Sequence, residues 1–431
     1  MSSDRLASPQ TRSMRFSRRF LIWGAAAAGL VRPLHSLGRR REEQRMDGSI
    51  FAYAGTNSAP KEQSGDGGNG EGIHVFRIDR ATGVLTQVAV YPDRYNPTCL
   101  AVNGAGTRLY ATHETATFQG TASGSVSAFS VDQGNGQLIL LNTVSSGGAA
   151  PCHLSLHPSG RFVLVANYDG GSVAVLPIGP DGRLVPATDI QRYRSHPGPA
   201  IAHSSPPGSF AVSGHDASHA HMIQSDRSGG FVLSTDLGTD RILLWSFDSR
   251  TGTLKANVPP FVSLPEGDGP RHFVFHPGGR WLYALQEEGS TVAAFDYDIT
   301  TGRLSPLQTL SCLPKGFAGT SFASEVLVSG DGRFLYAANR LHNSIAIFAI
   351  GTAGDLSYVG EQWTHGDYPA SFNIDPTGRF LYVCNQKSDA ITMFRVNTKT
   401  GALVFSGHYT PVGTPASIVF LAIGIGLTPL D

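Results

Sequence analysis

The chain has 431 residues, of which 41% are hydrophobic and 51 are glycine. This composition is typical of a turn-rich all-β protein and argues against a disordered or collagen-like chain. The 33 basic and 33 acidic side chains balance, but residues 1–45 hold ten of the arginines and only three of the acids. The remainder therefore has a net charge of about −7, which gives no electrostatic basis for nucleic-acid binding.

The N-terminal segment has the pattern of a twin-arginine export signal. Arg18 and Arg19 precede an apolar run, Leu21 to Val31, that is too short to span a bilayer comfortably. The pattern predicts an export signal and linker over residues 1–45, a periplasmic protein, and contact with the membrane only during export. The alternatives are a disordered basic tail or a later start codon, and a protein that does not use the segment would be cytoplasmic.

An eleven-residue phrase recurs along the rest of the chain. Each copy has a turn, a glycine and an alternating apolar run, which is the pattern of a hairpin turn that leads into a strand. Strand-like segments precede and follow each copy, and four strands at a period near 50 residues indicate a β-propeller blade. The clear copies are HPSGRFVLVAN from His157, HPGGRWLYALQ from His276, SGDGRFLYAAN from Ser329 and DPTGRFLYVCN from Asp375, and weaker copies start at Asn103 and Asp226.

Six copies predict six blades, and a seventh is expected to be split between the chain ends. Residues 50–90 supply three strands, and the C-terminal segment PASIVFLAI supplies the inner one. Such closure joins the ends of the ring and leaves no open sheet edge. The sequence thus predicts one domain over residues 46–431: an all-β, seven-bladed propeller of four-stranded antiparallel blades, with an insertion around Ala187–Ala217.

Polar side chains that differ between blades are expected to gather at one mouth of the ring. The first two strands of a blade form an antiparallel hairpin, so the start of the first and the end of the second lie at the same mouth. His219 and His221 are two residues apart and are expected to point to one face of their strand. The converging residues are His219, His221, Arg271, His272, Glu287, Glu325 and Arg340, with His153, Asn339 and Gln386 as further substrate-binding candidates.

Histidine, arginine and glutamate around one opening are the groups that a site for a polar substrate needs. The alternative is that these charges only pair with one another, because propeller mouths are polar in any case. No G-x-S-x-G elbow is present, and the five histidines between residues 196 and 221 lack the spacing of a metal site. The four cysteines show no C-x-x-C spacing. Cys99, Cys152 and Cys384 lie in strand-like apolar runs and are expected to be buried small hydrophobes.

Four segments resemble the seven-bladed propeller lactonases of the 6-phosphogluconolactonase type, a family that also includes a fungal carboxymuconate-cyclising enzyme. The resemblance runs from about Ile50 to Leu421. The segments are SHAHMI from Ser218, GPRHFVFHP from Gly269, SFASEVLVSGDGRFLYAANR from Ser321 and SFNIDPTGRFLYVCNQKSDAITMF from Ser371.

The resemblance implies hydrolysis of a sugar lactone without a metal or organic cofactor. By motif, the family's proposed site of a histidine, an arginine, a glutamate and a second arginine corresponds to His219 or His221, Arg271, Glu287 and Arg340. One departure is Ala370, where members of the family often have an arginine. Because arginine is the preferred bidentate partner of phosphate, its absence weakens the case for a phosphorylated substrate.

The sequence therefore predicts an enzyme whose partner is a small lactone. His221 or His219 is expected to take a proton from water, with Glu287 or Glu325 assisting. Arg271 and Arg340 are expected to stabilise the oxyanion. A non-catalytic periplasmic binding or scaffold propeller, or a muconate-lactone cycloisomerase-like enzyme, are the alternatives, and the sequence leaves monomer and dimer open.

Overall fold

A computed structural model describes residues 48–60 and 67–424 of the chain. The predicted export signal and the C-terminal residues 425–431 lie outside these residues. The described part is all-β, with seven four-stranded antiparallel sheets and a single turn of 3₁₀ helix at Gln386–Ser388. In this part of the chain no helix is long and apolar enough to cross a membrane.

Each sheet is one blade, and its innermost strand lines a central channel. From the inside outwards, the blades are blade 1 with β28 (Pro415–Ile423), β1 (Ser49–Thr56), β2 (Gly72–Ile78) and β3 (Leu85–Pro92); blade 2 with β4 (Leu100–Val102), β5 (Arg108–His113), β6 (Ser125–Val131) and β7 (Leu138–Ser145); blade 3 with β8 (Pro151–Leu156), β9 (Phe162–Asn167), β10 (Ser172–Pro177) and β11 (Asp189–Arg192); and blade 4 with β12 (Ala220–Ser225), β13 (Phe231–Asp236), β14 (Arg241–Asp248) and β15 (Thr253–Ser263). The others are blade 5 with β16 (Pro270–Phe275), β17 (Trp281–Gln286), β18 (Thr291–Asp298) and β19 (Arg303–Ser311); blade 6 with β20 (Phe322–Val328), β21 (Phe334–Arg340), β22 (Ser344–Ile350) and β23 (Leu356–Trp363); and blade 7 with β24 (Pro369–Ile374), β25 (Phe380–Asn385), β26 (Ala390–Val396) and β27 (Leu403–Pro411).

The ring closes as the sequence predicts. β28 pairs antiparallel with β1 from Ser49 opposite Ile423 to Gly55 opposite Ser417, so the last strand completes the sheet that the first strand begins. Each innermost strand contacts those of both neighbouring blades, including β28 against β4. The prediction of seven blades, with one blade shared by the two ends of the chain, is confirmed.

A tyrosine in the second strand joins five of the seven blades to the next one. In blade 6, the Tyr336 hydroxyl donates a hydrogen bond to the Gly401 carbonyl in the outer turn of blade 7, at 3.0 Å. Gly401 has φ +73°, and a Cβ there would lie 2.5 Å from the Phe334 ring, so the turn requires glycine. The same tyrosine-to-glycine bond is made by Tyr53, Tyr110, Tyr283 and Tyr382. Blades 3 and 4 have Leu164 and Leu233 at this position.

Hydrophobic clusters between adjacent sheets complete the packing. Seven such clusters are present in the described residues, one for each junction of the ring. The alternating apolar runs of the phrase supply both faces of each sheet, so every blade is buried on two sides. The core is therefore a closed ring of interfaces around the channel rather than a single centre.

A β-bulge interrupts the innermost strand of every blade except blade 2. In β16, Pro270 is opposite Gln286 and His272 is opposite Leu285, which leaves Arg271 as the extra residue. Bulges redirect a side chain and are frequent beside functional sites. The extra residues elsewhere are Cys152, His221, Ala370 and Ala416, and in β20 the bulge lies between Ala323 and Val326.

The insertion between blades 3 and 4 starts later than the sequence indicates, because residues 189–192 form the outer strand β11. From there the chain forms hydrogen bonds with segments that precede the innermost strands of neighbouring blades. Ser204 N donates to Asp268 Oδ1 at 2.8 Å, and Phe210 N donates to Thr320 Oγ1 at 3.0 Å. The insertion thus reaches from blade 3 to the start of blade 6, and Val212 and Ser213 contribute to the wall of the channel.

Candidate active site

The channel holds a cavity of about 1080 Å³ that is lined by residues from all seven blades. Its wall is built mainly by the innermost strands and by the residues that follow the second strands. The bulges and their neighbours supply many of the polar lining groups, and the second-strand ends supply the others. These are the two positions that the sequence analysis places at one mouth of the ring, which is why the repeat pattern predicts most of the site.

Two arginines and one glutamate form the ionic centre of the cavity. Arg271 Nε lies 2.9 Å and Arg340 Nη2 lies 2.6 Å from the same oxygen, Oε2 of Glu287. All three side chains are at most 14% exposed. Arg271 also donates from Nη1 to the Ser324 carbonyl, and Arg340 donates to the Tyr368 hydroxyl at 3.3 Å. Each guanidinium is therefore fixed from two sides, as a rigid anion-stabilising group requires.

His272 and Glu325 form a second polar pair in the same wall. His272 Nδ1 lies 3.0 Å from Glu325 Oε1, and the Ser371 hydroxyl donates to Glu325 Oε2 at 3.2 Å. Burial would raise the pKa of Glu325, but His272 and Arg271 beside it hold that pKa below its usual range. Burial lowers the pKa of His272, although Glu325 opposes the shift.

His221 faces this pair from blade 4. Its ring contacts His272 edge to face at 5.1 Å and Tyr168 at 5.4 Å between ring centroids. Cys152 Sγ is 3.9 Å from His221 Nδ1. Burial and the nearby Arg271 lower the pKa of His221 well below its ordinary value, so the ring is neutral at pH 7 and its lone pair is free, although the same shift makes it a weaker base than an ordinary histidine.

His153 extends the cluster into blade 3. Its ring lies 5.5 Å from that of His272, and burial, followed by the charges of His272 and Arg271, lowers its pKa to about 3. The cavity therefore has three imidazoles, each held in the neutral form at physiological pH.

Two predicted site residues do not line the cavity. The His219 ring stacks on Tyr168 at 4.3 Å, and its Nε2 lies 2.9 Å from Asp216 Oδ1. The bulge at His221 breaks the alternation, so the prediction that both histidines point to one face is wrong. Asn339 is fully buried inside blade 6, where it donates to the Cys312 carbonyl at 2.8 Å.

The other predicted site residues, Gln386 included, all line the cavity. Cys152 and Cys99 also line it and are not merely core residues. The sequence interpretation omits Tyr168 and Tyr368, which contact the histidine cluster and Arg340. Tyr168 directly follows the second strand of its blade, so the repeat pattern could have predicted that it lies at the same mouth of the ring. No group of three or more His, Cys, Asp or Glu side chains in residues 48–60 and 67–424 has a geometry that could hold a metal ion.

Comparison with known proteins identifies the family to which this fold and site belong. Residues 51–420 match the model of the family described as "Lactonase, 7-bladed beta-propeller". A 6-phosphogluconolactonase of Bacillus subtilis is 32% identical over 355 residues, which cover 82% of this chain and 95% of the relative. A 6-phosphogluconolactonase of Formosa agariphila is 30% identical over 72% of this chain and 83% of its own length.

Solved structures give the same answer. The periplasmic gluconolactonase of Pseudomonas aeruginosa superposes with a TM-score of 0.77 at 29% identity, covering 87% of this chain and 99% of that one. The chain belongs to the seven-bladed β-propeller lactonase family, whose named relatives are lactone hydrolases.

Proposed function

We propose that this protein hydrolyses a sugar-acid lactone in the central cavity. The observation that carries the proposal is the Arg271–Glu287–Arg340 centre beside three neutral imidazoles. It combines fixed cationic donors with groups that can accept a proton, and ester hydrolysis needs both. The family relationship and the lactonase names of the relatives support the same reaction class.

In the proposed reaction a water molecule attacks the lactone carbonyl. His221 accepts the proton from that water, since it lines the cavity whereas His219 does not. The carbonyl oxygen becomes an oxyanion, which Arg271 and Arg340 stabilise. The bond from the carbonyl carbon to the ring oxygen then breaks, and the ring oxygen takes the proton back from the imidazolium, leaving an open-chain hydroxy acid.

Glu287 keeps both guanidiniums in place for this step. Arg271 uses Nε for Glu287 and Nη1 for the Ser324 carbonyl, so its Nη2 group retains donors for a substrate oxygen. Preorganised donors of this kind contribute roughly 10²–10³-fold to a hydrolysis rate, and a positioned base contributes roughly 10²–10⁴-fold.

The proposed location is the periplasm, through the twin-arginine pattern at Arg18 and Arg19. The periplasmic gluconolactonase of Pseudomonas aeruginosa, a relative of the same fold, supports a lactonase in that compartment. Fusion of residues 1–45 to a reporter that is active only after export tests this proposal, with Arg18→Lys/Arg19→Lys as the control that should abolish transport.

A lactone panel tests the proposed activity. The purified protein is offered phosphorylated and unphosphorylated sugar lactones, and acid release is followed in a pH-stat. Turnover above the spontaneous rate is expected for at least one lactone, and Arg271→Ala should lower kcat/KM roughly 10²–10³-fold. Arg280→Ala in the same blade is the matched control, because that side chain is 70% exposed and pairs with Asp296 outside the cavity.

Two outcomes would count against the proposal. No turnover of any lactone would favour a binding or scaffold propeller. Turnover that is unchanged by Arg271→Ala would remove that residue from the mechanism. NMR of the product separates ring opening by water from isomerisation of a muconate-type lactone.

A further inference from the structure

The wall of the cavity has an excess of negative charge. Among the described residues that line it are two permanent cations and four carboxylates: Arg271, Arg340, Glu114, Asp169, Glu287 and Glu325. The three lining histidines, His153, His221 and His272, do not alter this balance at pH 7, because burial lowers the pKa of each of them. The lining residues thus have a net charge of about −2 at neutral pH.

Both cations are already paired. Arg271 and Arg340 both form an ion pair with Oε2 of Glu287. Arg271 also interacts electrostatically with Glu325, the partner of His272. Lys387 lies near the mouth, where its ammonium is 3.8 Å from the centre of the Tyr368 ring, but it does not contribute to the cavity wall. The arginines can therefore stabilise one developing oxyanion, but they offer no uncompensated charge to a second anionic group.

The two remaining carboxylates lie on the other side of the ring. Arg271 and Arg340 belong to blades 5 and 6, whereas Glu114 follows β5 of blade 2 and Asp169 follows β9 of blade 3. In a ring of seven blades, blade 2 is opposite the junction of blades 5 and 6. Glu114 Oε2 accepts a hydrogen bond from the Thr98 hydroxyl at 2.6 Å, which fixes the carboxylate in the wall.

We propose that this opposite wall selects an uncharged, polyhydroxylated lactone and discriminates against its phosphorylated counterpart. With the lactone carbonyl at Arg271 and Arg340, the far end of the substrate points across the channel to Glu114 and Asp169. Carboxylates accept hydrogen bonds from sugar hydroxyls, whereas a phosphate dianion at the same place meets like charge. The inference rests on the proposed function, because it takes the carbonyl position from that mechanism.

Ala370 supports the same selection from blade 7. It is the extra residue of the β24 bulge, the position that Arg271 occupies in β16, and it lines the cavity. The backbone therefore provides a place for a further cation, and the chain has a methyl group there. An arginine at this position would bring the charge of the wall closer to neutral.

The test compares gluconolactone with its 6-phosphate as substrates of the purified protein. We expect kcat/KM to be at least tenfold higher for the unphosphorylated lactone. Glu114→Gln and Asp169→Asn should each raise the relative kcat/KM for the phosphate by roughly threefold to tenfold, the size expected when one like charge is removed across a hydrated cavity. Ala370→Arg should shift the ratio in the same direction, with Ala370→Gln as its uncharged control.

Two controls distinguish the effect of the carboxylates in the cavity wall from the effect of the net charge of the protein. Asp181→Asn removes an exposed carboxylate that pairs with Arg183 and does not line the cavity, and it should leave the ratio unchanged. Higher salt should weaken the discrimination, because ionic screening reduces interactions between hydrated charges.

The outcomes also separate this inference from the proposed function. If neither lactone is hydrolysed, this inference fails, whereas the proposed function fails only if every lactone of the panel is inert. If both are hydrolysed and the phosphate is preferred, the function stands and the selection by charge is wrong. A preference for gluconolactone that none of the charge variants alters would also overturn the assignment to Glu114 and Asp169.

Discussion

Glu287 holds two guanidiniums through one oxygen, Oε2. Two buried cations so close together would repel each other strongly without a carboxylate between them. The glutamate is thus a positioning residue: it fixes the direction of the arginines and supplies the negative charge that lets both remain buried in the cavity wall. Its neighbour Glu288 has a separate partner, His215, so two adjacent carboxylates serve two different clusters.

Replacement of Glu287 by glutamine tests this role. The amide retains hydrogen bonds but removes the counter-charge, so the arginines should separate and lose their alignment. We expect kcat/KM to fall by roughly 10²-fold and unfolding to become easier by about 3–5 kcal/mol, as when one partner of a buried ion pair is removed. Steady-state kinetics and thermal unfolding measure the two effects. Glu361→Gln, on the outer strand β23, should change neither, and wild-type kinetics for Glu287→Gln would contradict the role.

The position of a residue relative to the recurring phrase predicts much of the site. It does not predict the side-chain orientations that the bulges change. Arg271, His272 and Glu325 are found because they lie at the start of the innermost strand, four or five residues before a copy of the phrase. His219 is misplaced because a single extra residue, which no local pattern reveals, reverses the side-chain alternation. Asn339 is the penultimate residue of β21, and its orientation depends on the Cys312 carbonyl of the preceding blade, a tertiary contact that the sequence does not contain.

The insertion between β11 and β12 is the element that departs most from the repeat. Its His215 is almost wholly buried between two carboxylates, with Nε2 3.2 Å from Asp240 Oδ1 and Nδ1 3.6 Å from Glu288 Oε1. Burial alone would lower the pKa of His215, but Asp240 and Glu288 raise it to about 9. Blades 3 and 4 lack the tyrosine bond at Leu164 and Leu233, and the insertion spans the same blades with its own contacts.

The stability that His215 provides should depend on pH. Its pKa is higher in the folded state than the ordinary 6.5, so its contribution is complete below about pH 6.5 and is lost as the pH rises through about 9. We expect His215→Gln to lower Tm by a few degrees at pH 6 and by much less at pH 10, as measured by differential scanning calorimetry. His408→Gln, on the exposed part of β27, is the control, and a Tm difference that does not vary with pH would contradict the role of the imidazolium.

The whole ring is held by small, repeated interfaces rather than by one core. Five tyrosine-to-glycine hydrogen bonds join successive blades, and β28 against β1 closes the circle. Because each blade depends on its neighbours, the loss of one junction should weaken the unit as a whole. The recurring phrase, from which the sequence predicts the number of blades, thus also carries tyrosines that bind the next blade.

Removal of one hydroxyl measures the strength of a junction. Tyr336→Phe deletes the bond to the Gly401 carbonyl and leaves that buried acceptor without its partner. We expect a loss of about 1–2 kcal/mol in the free energy of unfolding, read from denaturant titration of the purified protein. Tyr358→Phe, whose ring is 39% exposed on the outer strand β23, should have no measurable effect. Equal effects of the two substitutions would show that the junction bond has no special part in stability.

The extra residue in five of the seven innermost strands has a consequence for how such a channel can diversify. It has no cross-strand partner, so its exchange leaves the backbone register of the sheet intact. The phrase therefore maintains the ring, while a few positions without a strand partner determine the chemistry of the channel. New substrate preferences can arise at Ala370 and Ala416 by single substitutions, whereas exchange of Arg271 also removes its contacts with Glu287 and with the Ser324 carbonyl.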